Sequence, residues 1–211
     1  SGLLIMPRHE KISSMNDLKG KRVGIWKVGF GDYALMVDKE HNLEIEWIPF
    51  VQNINLFISG VIDATLAMSY NEILQIRAAG YDISTAISIA DEGYDFPEDG
   101  LYVSEDYFRN NPQTVKAFAD ASRKGWEWAQ EHPEETLEIV MEKTHSNNIA
   151  TNRTHQKWML EEVLKLNKDT EIGTATYTLK SDQVRRLSDL LVKHGMISKP
   201  VTYETITGQT L

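Results

Sequence analysis

Through the first hundred residues, apolar positions fall in short clusters set apart by polar turns. Leu3 to Met6 is an unbroken apolar run, the pattern of a strand buried on both faces. Arg22 to Trp26 is a second strand, entered from the polar turn Asn16-Asp17-Leu18-Lys19-Gly20-Lys21. Glu44 to Phe50 alternates, with Ile45, Trp47 and Pro49 on one side, which predicts another. Asp63 to Met68 and Ile83 to Ile89 complete the strand-like segments. Between them the spacing becomes helical. Asp32 to Glu40 carries Tyr33, Met36 and Val37 on one face, Asn53 to Ser59 closes at Gly60, and Asn71 to Ala79 closes at Gly80. Strands alternating with short helices predict an α/β lobe over residues 1–100, wound around a largely parallel sheet.

After Leu101-Tyr102-Val103 the texture changes. Pro112 to Glu131 reads as one long amphipathic helix, with Val115, Phe118, Ser122, Trp126 and Ala129 on a stripe and Pro112 in the first turn. Glu134 to Glu142, Thr154 to Leu166 and Ser181 to His194 are further helices, the last ended by Gly195. Residues 101–211 are therefore expected to form one helical segment.

Composition narrows the chemistry. Hydrophobic residues are 41% and charged residues 25%, the balance of a globular domain. Lys and Arg number 22 against 31 Asp and Glu, a net charge of −9, which disfavours nucleic acid as a partner. The chain contains no cysteine, so disulfides, thiol nucleophiles and thiolate metal sites are excluded. The six histidines show no metal-binding spacing. No apolar run reaches the ~18 residues of a membrane span. Ser1 to Met6 lacks the form of a signal peptide, so an export signal or lipid anchor is expected upstream of Ser1.

The most specific local pattern is Gly29-Phe30-Gly31-Asp32-Tyr33-Ala34, which fits G-x-G-x-x-[GA] between a strand and a helix. A dinucleotide site also needs an acidic residue at the end of the next strand, for the ribose. That place holds Pro49-Phe50-Val51-Gln52, which speaks against an NAD-dependent enzyme. The turn is either a tight connection or a cradle of backbone N–H groups for a polar ligand. Asp32 caps the same donors and favours a neutral ligand over a strong anion.

Several stretches, in order and spacing, resemble one family. "SMNDLKGKRVGI" resembles the opening of the second lobe in periplasmic solute-binding proteins of ABC importers, and more narrowly in the thiamine-precursor-binding (NMT1/THI5-like) group. "LFISGVIDATLAMSYNEILQIRAAGYD" and "NPQTVKAFADASRKGWEWAQEHPEETLEIVME" are similar to later parts of the same group. The resemblance covers residues 1 to 145. It implies an α/β fold of the type II periplasmic-binding-protein kind, with residues 1–100 as the second lobe and 101–211 returning to the first. Family members carry most of the first lobe ahead of the stretch matching Leu3 to Met6. The family's enzyme namesake uses a cysteine-rich stretch, and the matching stretch here, Gly29 to Tyr33, has no cysteine. The resemblance therefore implies binding without turnover, no cofactor, a periplasmic or extracytoplasmic location and an ABC permease as partner. A ligand-sensing extracellular domain of a membrane signalling protein is the alternative.

In such a fold the ligand lies at the carboxyl ends of the strands. The residues placed there are Trp26, Gly29, Phe30, Gly31, Asp32 and Tyr33, then Gln52 and Asn53, then Tyr70, Asn71 and Glu72, with Tyr94 beyond. Glu72 suits the paired N–H donors of an aminopyrimidine, or else caps the following helix. Asn71 is a ligand donor or an N-cap. Trp26 and Tyr94 would stack on a flat ring, or belong to the core. Gln52, Asn53 and Asn55 are loop residues or ligand donors.

Overall fold

The computed structural model describes residues 1–27, 31–50, 54–167 and 177–208. The chain divides into two units, Ser1–Glu98 with the chain from Thr178 onward, and Asp99–Tyr177.

The first unit is built on a five-stranded sheet of β1 (Leu3–Pro7), β2 (Arg22–Trp26), β3 (Glu46–Phe50), β4 (Ala64–Met68) and β5 (Ile87–Ser88), in the order β3-β2-β4-β1-β5. Strand β2 is parallel to both β3 and β4. Parallel neighbours need crossovers, and these are α1 (Gly31–His41) and α2 (Asn55–Ile58). α3 (Glu72–Ala78) follows β4. The first strand departs from the parallel pattern, because β1 runs antiparallel to both β4 and β5.

All five residues of β4 are buried, as expected of a strand with neighbours on both sides and both faces covered. Gly24 of β2 is required by that packing. A Cβ there would lie 2.7 Å from Thr65 Oγ1 and 2.8 Å from Ile62. Leu3, Ile5, Val23, Ile25 and Leu66 from the sheet, with Ile89 just after β5, close on Ala34, Met36 and Val37 of α1. The sheet edges are blunted, β3 by Pro49 and β5 by its length of two residues. Of the expected strand Ile83 to Ile89, only that pair is in the ladder. The polar turn before β2 holds a 3-10 turn, Met15–Leu18, whose Met15 and Leu18 are buried. Asp17 staples it by accepting from the N–H groups of Ser13 and Ser14, which holds its carboxyl below the usual range.

The second unit is helical: α4 (Glu105–Asn110), α5 (Pro112–Glu131), α6 (Pro133–Ser146) and α7 (Arg153–Leu166). Prolines occupy the first turn of α5 and α6, where no N–H partner is lost. Helices α6 and α7 are joined across their surfaces by Glu134, which meets Lys157 at 2.7 Å and Arg153 at 3.2 Å. Among the described residues of this unit, the buried apolar side chains are Ala129 and Leu137. The stripe foreseen on α5 is present, but only Ala129 of it is buried.

The chain then returns to the first unit with α8 (Ser181–Lys193) and α9 (Tyr203–Thr207). Leu187, Leu190 and Leu191 of α8 pack against the sheet core, and Ser188 Oγ accepts the Val201 N–H at 2.7 Å. Sequence reasoning grouped residues 101–211 as one segment, whereas α8 and α9 belong with the α/β unit. The apolar stripe of α8 finds its complement on that core. Among the described residues no helix is long and apolar enough to cross a membrane.

Candidate functional site

Because β2, β3 and β4 are parallel, their carboxyl ends, Trp26, Phe50 and Met68, share one edge of the sheet. Open α/β sheets present ligand crevices at that edge. Gly29, Phe30, Gln52 and Asn53 of the expected site lie outside the described residues.

At its described residues the edge is aromatic. The half-buried Trp26 ring meets Phe50 with centroids 5.5 Å apart, tilted by 54°. The Lys27 N–H donates to the Phe50 carbonyl at 3.2 Å and carries the β2–β3 pairing one residue past Trp26. Tyr33, in the first turn of α1, stacks on Phe96 with centroids 5.9 Å apart. Gly31 is buried and begins α1. A Cβ on it would come within 2.7 Å of the Ile25 side chain, so only glycine lets the helix start sit this close to β2. Asp32 is exposed in that first turn. Its carboxylate complements the positive helix end and repels anions from it.

The turn after β4 is held by a small network. Glu72 Oε2 accepts the Met68 N–H and Oε1 accepts from Asn71 Nδ2, both at 2.9 Å. Asn71 Oδ1 accepts from Gln75 Nε2 at 3.1 Å. Asn71 thus occupies the N-cap position of α3 with its side chain turned to Glu72 and Gln75. Glu72 braces the turn. Each of its oxygens retains acceptor capacity. Tyr70 is half-buried against the core.

Tyr94 is placed elsewhere than sequence reasoning put it. It is 3% exposed within the core, and its hydroxyl donates to Glu40 at the far end of α1. With ~1.5 Å of rise per residue, Glu40 lies about 12 Å along the helix from Asp32. The ring has no face open at the sheet edge. Sequence reasoning also missed Phe50 and Phe96, the partners of Trp26 and Tyr33. Their signal was an aromatic at a strand end and another in the segment before Leu101.

Among the described residues no group of three or more His, Asp or Glu side chains is placed to hold a metal. A cavity of about 340 Å³ lies within the second unit, floored by Leu137, Leu160 and Leu164 and rimmed by the Glu134–Lys157 pair.

A family model described as NMT1/THI5 like matches residues 2–136. Riboflavin-binding protein RibY of Chloroflexus aurantiacus is 25% identical over 138 residues, covering 62% of this chain and 38% of RibY. The periplasmic aliphatic sulphonate binding protein SsuA of Escherichia coli matches at a TM-score of 0.65 and 12% identity, over 99% of this chain and 65% of its own. The desulfurization enzyme DSZB matches at a TM-score of 0.53 and 14% identity, over 94% of this chain and 70% of its own. The two solved structures share the fold with this chain, and one is a binding protein and the other an enzyme. The chain spans less than two thirds of the length of RibY and of SsuA.

Proposed function

The chain belongs to the NMT1/THI5-like family, and from that premise we propose that it binds a small aromatic nutrient outside the cytoplasm and delivers it, chemically unchanged, to an ABC-type permease. The observation that carries the reading is the shared carboxyl edge of β2, β3 and β4, lined by Trp26, Phe50 and Tyr33. Flat rings stack on such side chains, with roughly 0.5–1.5 kcal/mol gained per aromatic pair beyond area burial. The complete absence of cysteine supports binding over thiol chemistry. RibY and SsuA, both named as binding proteins, support it as well.

The ligand class is a nitrogen heterocycle able to carry positive charge, with a thiamine-pyrimidine precursor as its first member. Two helices that begin at this edge bear a carboxylate in their first turn, Asp32 on α1 and Glu72 on α3. Those carboxylates oppose a sulfonate and favour a protonatable aminopyrimidine.

Calorimetric titration with an aminopyrimidine, riboflavin and a short alkanesulfonate tests the reading. The aminopyrimidine is expected to bind tightest, and Glu72→Gln to weaken it by about 1–3 kcal/mol, the range for a hydrogen bond to a charged group. Tighter binding of the sulfonate, or an unchanged affinity in Glu72→Gln, would remove the pyrimidine assignment. Chemical conversion of the bound ring would remove the transport reading itself.

A further inference from the structure

The segment that follows β5 reaches both of the places assigned to ligand. Gly93 takes a left-handed φ of 92° and turns the chain into it. Pro97 then fixes its own φ and biases Phe96 towards extended backbone. Burial alternates along the segment. Tyr94 and Phe96 are 3% and 5% exposed, Asp95 and Pro97 are exposed, and Glu98 is half-buried. Alternate side chains of an extended chain share a side, so Tyr94, Phe96 and Glu98 all turn towards the first unit. Each meets a different part of it. The Tyr94 hydroxyl donates to Glu40 at the far end of α1. The Phe96 ring lies on Tyr33 in the first turn of α1, with the two planes 26° apart. Glu98 Oε1 accepts the Gly2 N–H at 3.0 Å and accepts from the Ser1 hydroxyl as well. Gly2 leads on to the turn after β4. Leu3 pairs with Met68, and the Gly2 carbonyl accepts the Ser69 N–H at 2.9 Å, one residue further along. The Met68 N–H is the group that Glu72 accepts. Backbone hydrogen bonds thus run from Glu98 through Gly2 and Ser69 to the turn that carries Glu72.

We infer that Phe96 and Glu98 are positioning residues, which fix the separation between the aromatic wall and the acidic turn of the proposed site. The inference rests on the binding role proposed for that edge. Neither residue needs to touch ligand. Phe96 acts by holding the Tyr33 ring, and Glu98 acts by holding Gly2 and, through it, Ser69. Tyr33 belongs to α1 and Glu72 to α3. A molecule that stacks on the one and donates to the other must span a set gap, and a binding constellation works when its groups are held to within about 0.5 Å. The segment Tyr94–Glu98, stiffened by Pro97, holds both sides of that gap at once. The chemistry it selects is a single rigid ring that carries its own N–H donor at a fixed distance from its flat face. A ring without the donor uses only the Tyr33 side, and its binding is indifferent to where the Glu72 turn stands.

Titration with aminopyrimidine, and with pyrimidine lacking the amino group, separates the two roles. Glu98→Ala is expected to weaken aminopyrimidine about five- to tenfold and to leave pyrimidine unchanged, because only the Glu72 turn is released. Phe96→Leu is expected to weaken both rings, because both stack on Tyr33. Glu98→Gln keeps an acceptor for the Gly2 N–H and should restore the wild-type affinity. In a Glu72→Gln background Glu98→Ala should have no further effect. Tyr94→Phe, which loosens the same segment at the far end of α1, is the control for a general loss of stability and should move neither affinity. No weakening by Glu98→Ala, equal weakening of both rings by it, an undiminished effect in the Glu72→Gln background, or no rescue by Glu98→Gln would each overturn the role of Glu98. Unchanged binding in Phe96→Leu would overturn that of Phe96. If neither ring binds the wild type, it is the pyrimidine reading that falls. Amide hydrogen exchange without ligand then decides the positioning claim. The Ser69 N–H is expected to exchange about tenfold faster in Glu98→Ala than in the wild type, and equal exchange would overturn the claim.

Discussion

The Tyr94 hydroxyl donates to a carboxylate oxygen of Glu40 at 2.6 Å, while the other carboxylate oxygen accepts a hydrogen bond from Lys193 Nζ at the same distance. Glu40 thereby joins three parts of the first unit: the last turn of α1, the segment after β5 and the end of α8. Two residues after Tyr94, Phe96 stacks on Tyr33 at the opposite end of α1. The stretch from Tyr94 to Phe96 therefore straps the helix against the sheet.

Removing the Tyr94 hydroxyl should loosen that strap and nothing else. Tyr94→Phe keeps the buried ring and loses one hydrogen bond, an expected cost of about 1 kcal/mol. In a chain of this size that lowers the melting temperature by about 2–4 °C. Thermal unfolding measures the loss, and ligand affinity at the sheet edge should not move.

The same cluster sets a pH dependence. Lys193's hydrogen bond, then that of Tyr94, depress the Glu40 carboxyl from its ordinary 4.5 to about 2. A carboxyl held below its unfolded value contributes stability that is complete above the unfolded value and lost as pH falls through the folded one. The melting-temperature difference between the wild type and Glu40→Gln should accordingly be constant above pH 4.5 and shrink between 4.5 and about 2. Because Glu40 is exposed, added salt should diminish the difference at every pH.

Gly31→Ala tests the close seat of α1 on β2. The new Cβ would press on the Ile25 side chain at 2.7–2.8 Å. Overpacking of this kind costs about 1–3 kcal/mol. A urea titration should show the loss, and Ile25→Val in the same chain should restore part of it. Simple additivity of the two substitutions would place the strain elsewhere.

Glu72 has a structural role separable from any ligand. Glu72→Ala removes the acceptors of Met68 N–H and Asn71 Nδ2. It is expected to cost about 1–2 kcal/mol, as for loss of a capping side chain. Glu72→Gln keeps an acceptor for Met68 and should stay within about 0.5 kcal/mol of the wild type. Denaturant midpoints of the two variants, measured without ligand, check this.

The local elements were legible because their signals are local. Arg22 to Trp26 coincides with β2, and Asp32 to Glu40 falls one residue inside α1 at each end. Ile83 to Ile89 read equally well as a strand, yet only Ile87 and Ser88 find β1 to pair with. Pairing depends on a neighbour that no window of sequence contains. At the sheet edge the same division applies. The placement of Trp26, Tyr33 and Glu72 near strand ends followed from element order, whereas the stacking of Tyr33 on Phe96 joins residues far apart in the chain.

The sequence by itself determined the alternation of strand and helix, the stripe along α5, the lack of thiol chemistry and the acidic balance, since each is a property of composition or of spacing within a few turns. Only the tertiary structure decided that β1 runs against its neighbours, that α8 joins the sheet core and that Tyr94 serves α1 instead of the sheet edge. Those outcomes depend on which apolar faces meet across long stretches of chain, and burial, unlike helical periodicity, is settled by the partner as much as by the residue.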